Sequence, residues 1–462
     1  MLALLGLMAV PAARAEPAVL TFTDSPDISV ESVSKLSSRE YNVSVSSPAL
    51  GRPVDVRILV PDNYADPSVG PLPVLYLFHG TSGRASDWVT TGDAEAATAG
   101  LPLIVVMPDA GFDGNGGGWF TNRVDTTTAL GPSQWETFHI DQLIPWVDAN
   151  LRTIAARDGR AVAGLSQGGF GSTTYAARHP DLFVSVASFS GAPDIDYNPV
   201  VAAGATAVIQ ATAVGLNGTQ PDAMFGPRAT HEINWQGHDP ATLVTNLRGM
   251  DVWLYTATGA PGEYDPPVPN PAGAGIEALT HGSTISFVQR AQDQGVPVHL
   301  EDYVFGTHAW PYWARDLREY LGPLMATFAH PPALSPTVSY QSIDKTWSQW
   351  GWSVSLDRPA QQQFSHLTDA GPGGFTLQGT GVATVDTPAV YPPGAEATVT
   401  VFGVSGPSSQ PVTVGSDGRL HLSVPLGSVP VPGAVGSAAV MGVPTPPVGS
   451  GTTTVTISFS FP

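Results

Sequence analysis

Residues 161–180 read Ala-Val-Ala-Gly-Leu-Ser-Gln-Gly-Gly-Phe-Gly-Ser-Thr-Thr-Tyr-Ala-Ala-Arg-His-Pro, and this order decides the fold. An apolar run ends at Gly164. Ser166 follows, then Gly168, Gly169 and a small-residue helical pattern closed by Pro180. The result is Gly-x-Ser-x-Gly set between a strand and a helix. Gly164 and Gly168 carry no β-carbon, so the strand can turn sharply into the helix without collision. Such a turn lifts the Ser166 hydroxyl to the carboxyl edge of a sheet and aims the next backbone N–H groups at one point. Ser166 is the candidate nucleophile.

Outward from this turn, strands and helices alternate. Leu72 to Phe78 and Leu101 to Met107 are solid apolar runs, as in strands buried on both faces of a parallel sheet. Tyr41 to Val45 and Val54 to Val60 alternate polar and apolar, as half-exposed antiparallel strands do. Further strands are expected at 183–189, 252–258 and 298–305, and helices at 135–151, 275–294 and 309–328. Residues 16–37 show little periodicity and read as a loose lead-in. Residues 192–248 read as an irregular insertion covering the active-site edge. The alternation implies a mostly parallel sheet with helices on both faces.

Composition changes at His330-Pro331-Pro332-Ala333-Leu334-Ser335-Pro336. Residues 331–336 read as a linker. Beyond it helical patterns vanish, and short Thr/Val/Ser runs at 395–404, 421–424 and 452–459 suggest an all-β sandwich over 337–462. Trp347, Trp350 and Trp352 could form a carbohydrate platform there, although a core role suits a small β domain better.

The 462 residues carry a formal charge of −20, and lysine occurs only at Lys35 and Lys345. Acidic residues outnumber basic ones 39 to 19, leaving too little positive charge to neutralise phosphates, which argues against nucleic acid as a partner. Electrostatic attachment to anionic lipid is disfavoured for the same reason. Residues 2–10 are continuously apolar and precede Ala13-Arg14-Ala15, the pattern of a secretory signal peptide cut after Ala15. An extracellular or cell-envelope location is therefore expected, with the catalytic unit spanning 16–330. No later segment approaches the length of a membrane span. The chain has no cysteine, so no disulfide, thiolate metal site or cysteine nucleophile is available.

A serine hydroxyl needs a base within hydrogen-bond reach, and the base needs an orienting carboxylate. In sheets of this type the partners follow in the order Ser, acid, His, each on a loop after a strand. His308, after the last expected strand, is the candidate base. Glu263, Asp265 and Glu277 all follow the strand at 252–258, and position alone does not choose among them. An oxyanion would need two backbone donors. The N–H of Gln167 and the N–H of Thr81, in His79-Gly80-Thr81-Ser82-Gly83, are the candidates. No metal and no organic cofactor is expected.

Five blocks together resemble a known family: Gly164-Leu165-Ser166-Gln167-Gly168, Trp135-Glu136-Thr137-Phe138, Met224-Phe225-Gly226-Pro227, His238-Asp239-Pro240 and Gly306-Thr307-His308-Ala309-Trp310-Pro311-Tyr312-Trp313. They are similar to the antigen 85 mycolyltransferase and esterase D-like superfamily, over about residues 40–328. The resemblance implies an α/β-hydrolase fold. It also implies an acyl-serine intermediate whose acyl group passes to water or to a sugar. The family's acid is a glutamate about 31 residues ahead of the histidine, which favours Glu277, with Asp265 next. Trp310 matches an aromatic position beside the family's histidine, and His79 stands where substrate contacts are made.

One departure bears on specificity. Where trehalose mycolyltransferases resemble Asp-Gly-Leu-Arg, this chain has His79-Gly80-Thr81-Ser82, more like the His-Gly of general esterases. The leading expectation is a secreted serine esterase acting on a lipid, glycan ester or polyester. Acyl transfer to a cell-envelope glycan is the alternative. A non-catalytic envelope-binding protein is a third reading, disfavoured because all three triad positions hold competent residues.

Overall fold

The computed structural model describes residues 20–358, 362–403, 406–426 and 453–461. The expected leader at 1–15 lies outside the described residues. A nine-stranded sheet runs through the first part of the chain: β1 (Ser29–Lys35), β2 (Glu40–Ser46), β3 (Val54–Leu59), β4 (Val74–Phe78), β5 (Ile104–Pro108), β6 (Arg160–Leu165), β7 (Ser185–Phe189), β8 (Asp251–Thr256) and β9 (His299–Asp302). Its order is β1-β2-β3-β5-β4-β6-β7-β8-β9. The first three strands pair antiparallel, β3 also with β5, and all remaining pairs are parallel.

The solid apolar runs are the interior strands. Every residue of β4, β5, β6 and β7 is buried. Six helices matter for the site: α1 (Ile144–Asn150), α2 (Gln167–Arg178), α3 (Pro199–Gly215), α4 (Arg228–Gln236), α5 (Pro271–Asp293) and α6 (Trp310–Ala329). A seven-residue π-helical stretch, Thr137–Leu143, leads into α1. Separate apolar cores lie on the two faces of the sheet, one reaching Phe138 and Trp146, the other Leu317 and Leu321. This is the α/β-hydrolase fold.

Two expectations need correction. The lead-in at 16–37 contains β1, an edge strand paired with β2. A register shift between Val30 and Ser32 breaks its period, and its residues are half-exposed or exposed, which hides the alternation. The insertion at 192–248 is not irregular, because it holds α3 and α4. α3 has apolar residues all round, so no helical period stands out in its sequence.

The described residues between 338 and 461 form two antiparallel sheets, of six and four strands, around their own core. Trp347 and Trp352 are buried in that core, and Trp350 is half-buried with its ring edge toward Tyr340. This all-β unit is docked on the far end of α2. The Tyr340 hydroxyl and the Gln349 amide donate to the Arg178 carbonyl at 2.7 and 3.1 Å. Asp344 accepts from the Arg178 guanidinium at 3.0 Å, and Asp181 accepts the Trp350 N–H at 3.0 Å. Asn246 exchanges two 2.9 Å hydrogen bonds with the Gln341 backbone.

Buried Glu136 completes the junction. It accepts from Arg178 and from His179, each at 2.7 Å. Burial alone would raise its pKa; the Arg178 guanidinium and His179 overturn this and hold the carboxyl well below the usual range. A depressed carboxylate adds stability that is present above its unfolded pKa and is lost as pH falls toward its folded value. Glu136→Gln is therefore expected to cost about 3 kcal/mol at neutral pH, since it leaves a buried cation short of a partner. The gap from the parent should narrow below about pH 4, where the parent loses the same stabilisation. Thermal unfolding of both proteins from pH 3 to 7 measures this, and a pH-independent gap would contradict it.

Candidate active site

Ser166 sits between β6 and α2 with φ 52° and ψ −119°. This is strained backbone for a residue with a β-carbon, tolerated where the surroundings dictate it. The glycines explain how. A β-carbon on Gly164 would come within 2.3 Å of the Gly168 carbonyl oxygen, and one on Gly168 within 2.4 Å of the His79 carbonyl oxygen. The Ser166 N–H donates to the Phe189 carbonyl at 2.9 Å, which ties the turn to the end of β7. Ser166 remains partly exposed.

The neighbouring strand end carries a second strained serine, Ser190, at φ 48°. Its N–H donates to the Tyr255 carbonyl on β8, and its hydroxyl donates to Glu277 Oε1 at 2.8 Å. The Ala257 N–H donates to the same oxygen at 3.0 Å. Glu277 is fully buried, and its other oxygen, Oε2, lies 2.8 Å from His308 Nδ1. His308 thus donates from Nδ1, and its Nε2, on the other side of the ring, has no hydrogen-bond partner among the described residues. At the carboxyl ends of β6, β7 and β8, Ser166 is tied to Phe189, and the next residue, Ser190, is hydrogen-bonded through Glu277 to His308.

α5 starts four residues earlier than its sequence pattern suggests. Asn270 caps it by accepting the Gly273 N–H at 3.0 Å, with Pro271 in the first turn. This places Glu277 in the second turn, facing inward.

The other acids have other partners. Asp302 lies 2.9 Å from His281, and Glu263 is exposed. Asp265 holds the histidine loop. Its carboxylate accepts from the Thr307 hydroxyl, from the Tyr312 hydroxyl at 2.7 Å and from the Gly262 N–H at 2.8 Å. Burial works against the charge of Asp265, but these donors outweigh it and lower its pKa. No sequence pattern flags this role, because the partners lie 42 and 47 residues away.

Thr81 and Gln167 meet directly: the Gln167 amide donates to the Thr81 hydroxyl at 3.0 Å. The Gln167 side-chain oxygen accepts the Trp119 N–H at 3.3 Å. The backbone N–H groups of Thr81 and Gln167 have no partner within the described residues. His79 requires a correction. It is buried, and both ring nitrogens are used, by the Gly80 carbonyl at 2.8 Å and the Ala110 N–H at 2.9 Å. Burial lowers its pKa, so the ring is neutral and clamps the loop instead of touching a substrate. Trp310 is partly exposed and packs edge-on against Trp88 and Trp313, and Trp313 in turn packs against the His308 ring.

A family model described as "Putative esterase" matches residues 47–324. The chain belongs to the esterase family. Among its relatives, Esterase Rv1288 of Mycobacterium tuberculosis is 35% identical over 269 residues, which are 57% of this chain and 54% of that protein. The chain thus spans about half the length of that relative. The MPT51/MPB51 antigen of the same species is 30% identical over 62% of this chain and 86% of the antigen. The diacylglycerol acyltransferase/mycolyltransferase Ag85B of Mycolicibacterium smegmatis is 28% identical over 60% and 82%. The crystal structure of M. tuberculosis MPT51 superposes with a TM-score of 0.51 at 28% identity, covering 63% of this chain and 98% of that one.

If Asp265 anchors the histidine loop through Thr307, the two residues are energetically coupled. A double-mutant cycle of Asp265→Asn and Thr307→Val, followed by urea unfolding, should give a coupling of about 1–2 kcal/mol. Additive effects would show that the contact does not hold the loop.

Proposed function

We propose that this protein is a secreted serine esterase that cleaves carboxylic esters through an acyl-serine intermediate. The observation that carries the reading is the 2.8 Å contact between His308 Nδ1 and buried Glu277, on the sheet edge where Ser166 stands. In this reading Ser166 Oγ attacks the ester carbonyl carbon as His308 Nε2 takes the hydroxyl proton. The carbon–oxygen bond to the alcohol then breaks, and His308 returns the proton to the leaving alkoxide. Water, deprotonated in turn by His308, attacks the acyl-serine and frees the acid. Glu277 holds the imidazole in the tautomer with the proton on Nδ1 and steadies the imidazolium.

The N–H groups of Thr81 and Gln167 hold the oxyanion in this scheme. The tie between their side chains sets how far apart the two loops stand. His308 Nε2 makes no hydrogen bond to Ser166 Oγ; contacts of this kind commonly tighten only when substrate binds. Trp310 forms part of the wall beside the base.

We assign residues 16–330 as the catalytic unit, 331–336 as the linker and 337–462 as an accessory β domain. Export rests on the apolar run at 2–10 and the small-residue pattern at 13–15. Acyl transfer to a sugar uses the same intermediate, and the similarity to Ag85B favours that second reading. Product analysis with a labelled ester, with and without trehalose, separates the two.

Ser166→Ala should lower turnover of p-nitrophenyl acetate by about 10⁴-fold or more with the fold intact. A fluorophosphonate probe should label the parent and not the variant. Turnover unchanged in Ser166→Ala would remove the mechanism.

A further inference from the structure

The outer faces of α3 and α5 break the usual pattern of a surface helix, which turns charged and polar residues to water. Every exposed residue of α3 is proline, valine, alanine or glycine, with Val200 80% exposed and Val208 and Val214 each 51%. The first nine residues of α5 behave likewise. Their one charged residue, Glu277, points inward, while Ile276 and Leu279 are 46% and 64% exposed. Nine of the eighteen exposed large apolar side chains among the described residues fall in three short segments, 199–215, 264–279 and 304–305.

These segments surround one place. The inner face of α3 packs through Ile209 and Ala213 onto Trp119 and Phe170. Phe170 lies in the first turn of α2, four residues beyond Ser166, and its N–H donates to the Ser166 carbonyl at 3.0 Å. The Tyr197 hydroxyl, just before α3, lies 2.8 Å from where a β-carbon on Gly282 of α5 would stand. Residues 304–305 lead directly to His308. The apolar collar therefore rims the edge where Ser166 and His308 emerge.

We propose that this collar docks the active-site edge onto an uncharged ester-lipid interface, so that substrate is drawn from a lipid phase and not from solution. The proposal rests on the esterase reading above. Charge selects the partner. The three segments contain no lysine or arginine, and the chain as a whole is at −20. An anionic membrane would be repelled, and none of the three segments supplies a cation to hold a phosphate headgroup; Arg228, which reaches Thr206 of α3, is already paired with Asp196 and Glu232. Apolar side chains exposed on helices that flank the Ser166 turn lower their free energy by leaving water.

The test uses the full chain and a triolein emulsion, with adsorption read by flotation in the Ser166→Ala background so that the lipid stays intact. The parent should float. Val208→Glu/Val214→Glu should reduce the floated fraction about ten-fold, because two carboxylates would enter the contact. Val200→Glu alone should act in the same direction, and Val382→Glu, exposed on the β unit, should not. With Ser166 restored, the double variant should hydrolyse soluble p-nitrophenyl acetate within about two-fold of the parent, a folding control that reads burial-independent chemistry. Flotation unaffected by the double variant would overturn the proposal. So would equal or stronger capture by phosphatidylglycerol vesicles, or light scattering in which the parent is a dimer and the double variant a monomer. Flotation without any p-nitrophenyl acetate turnover would strike the esterase assignment and leave the docking face in place.

Discussion

A serine held at φ 52° is the constraint on which the rest of this structure depends. Such a conformation costs on the order of 1–3 kcal/mol and persists only where the surroundings leave no alternative. Here the surroundings act at both ends of α2. At its start, Gly164 and Gly168 let backbone approach backbone, and the Ser166 N–H is tied to the end of β7. At its finish, Arg178 is gripped by Glu136 from one side and by Asp344, Tyr340 and Gln349 from the β unit. A helix fixed at both termini cannot relax its first turn by sliding. The β unit is thus part of what holds the Ser166 turn in place.

The same logic extends to the acid and the base. Neither is placed by its own loop alone. Glu277 is set by Ser190 and the Ala257 N–H, both at strand ends beside Ser166. His308 is set by Glu277 on one side and, through Thr307, by Asp265 on the other. Asp265 was a rival for the acid on position alone, and the structure gives it a distinct task one residue away from the base. Two carboxylates, Asp265 on the loop before α5 and Glu277 on α5 itself, divide the work of orienting a single imidazole.

The sheet and the serine turn were legible from sequence because burial on both faces leaves long apolar runs, and glycine at close approaches leaves a fixed spacing. β1 was not legible, since an edge strand with a register shift has neither an apolar run nor a clean alternation. α3 was missed for the opposite reason: its apolar residues go all the way round. His308 could be read from its place after the last strand. Glu277 could be singled out only by family spacing, because Glu263 and Asp265 follow the same strand. The tasks of His79, Ser190 and Asp265 were invisible, as each depends on partners distant in sequence or on a loop closing over it.

Charge placement connects the site to the rest of the molecule. A chain at −20 surrounds itself with negative potential, which opposes any step that creates an oxyanion. Near the site the structure avoids this. Glu277 is buried against the imidazole that the proposed mechanism makes cationic. Burial pushes the Asp316 carboxyl, on α6, up to about 8 against the pull of Arg315, whose guanidinium donates to it at 2.8 Å. Around the edge the exposed faces of α3 and of the start of α5 carry no charge at all. In the proposed mechanism, these uncharged helix faces lower the local dielectric, and the N–H groups of Thr81 and Gln167 would stabilise a developing negative charge far more than they could in water. In that mechanism, the same uncharged helix faces that suit this edge to an apolar surface would let an acidic protein build up negative charge on a bound carbonyl oxygen.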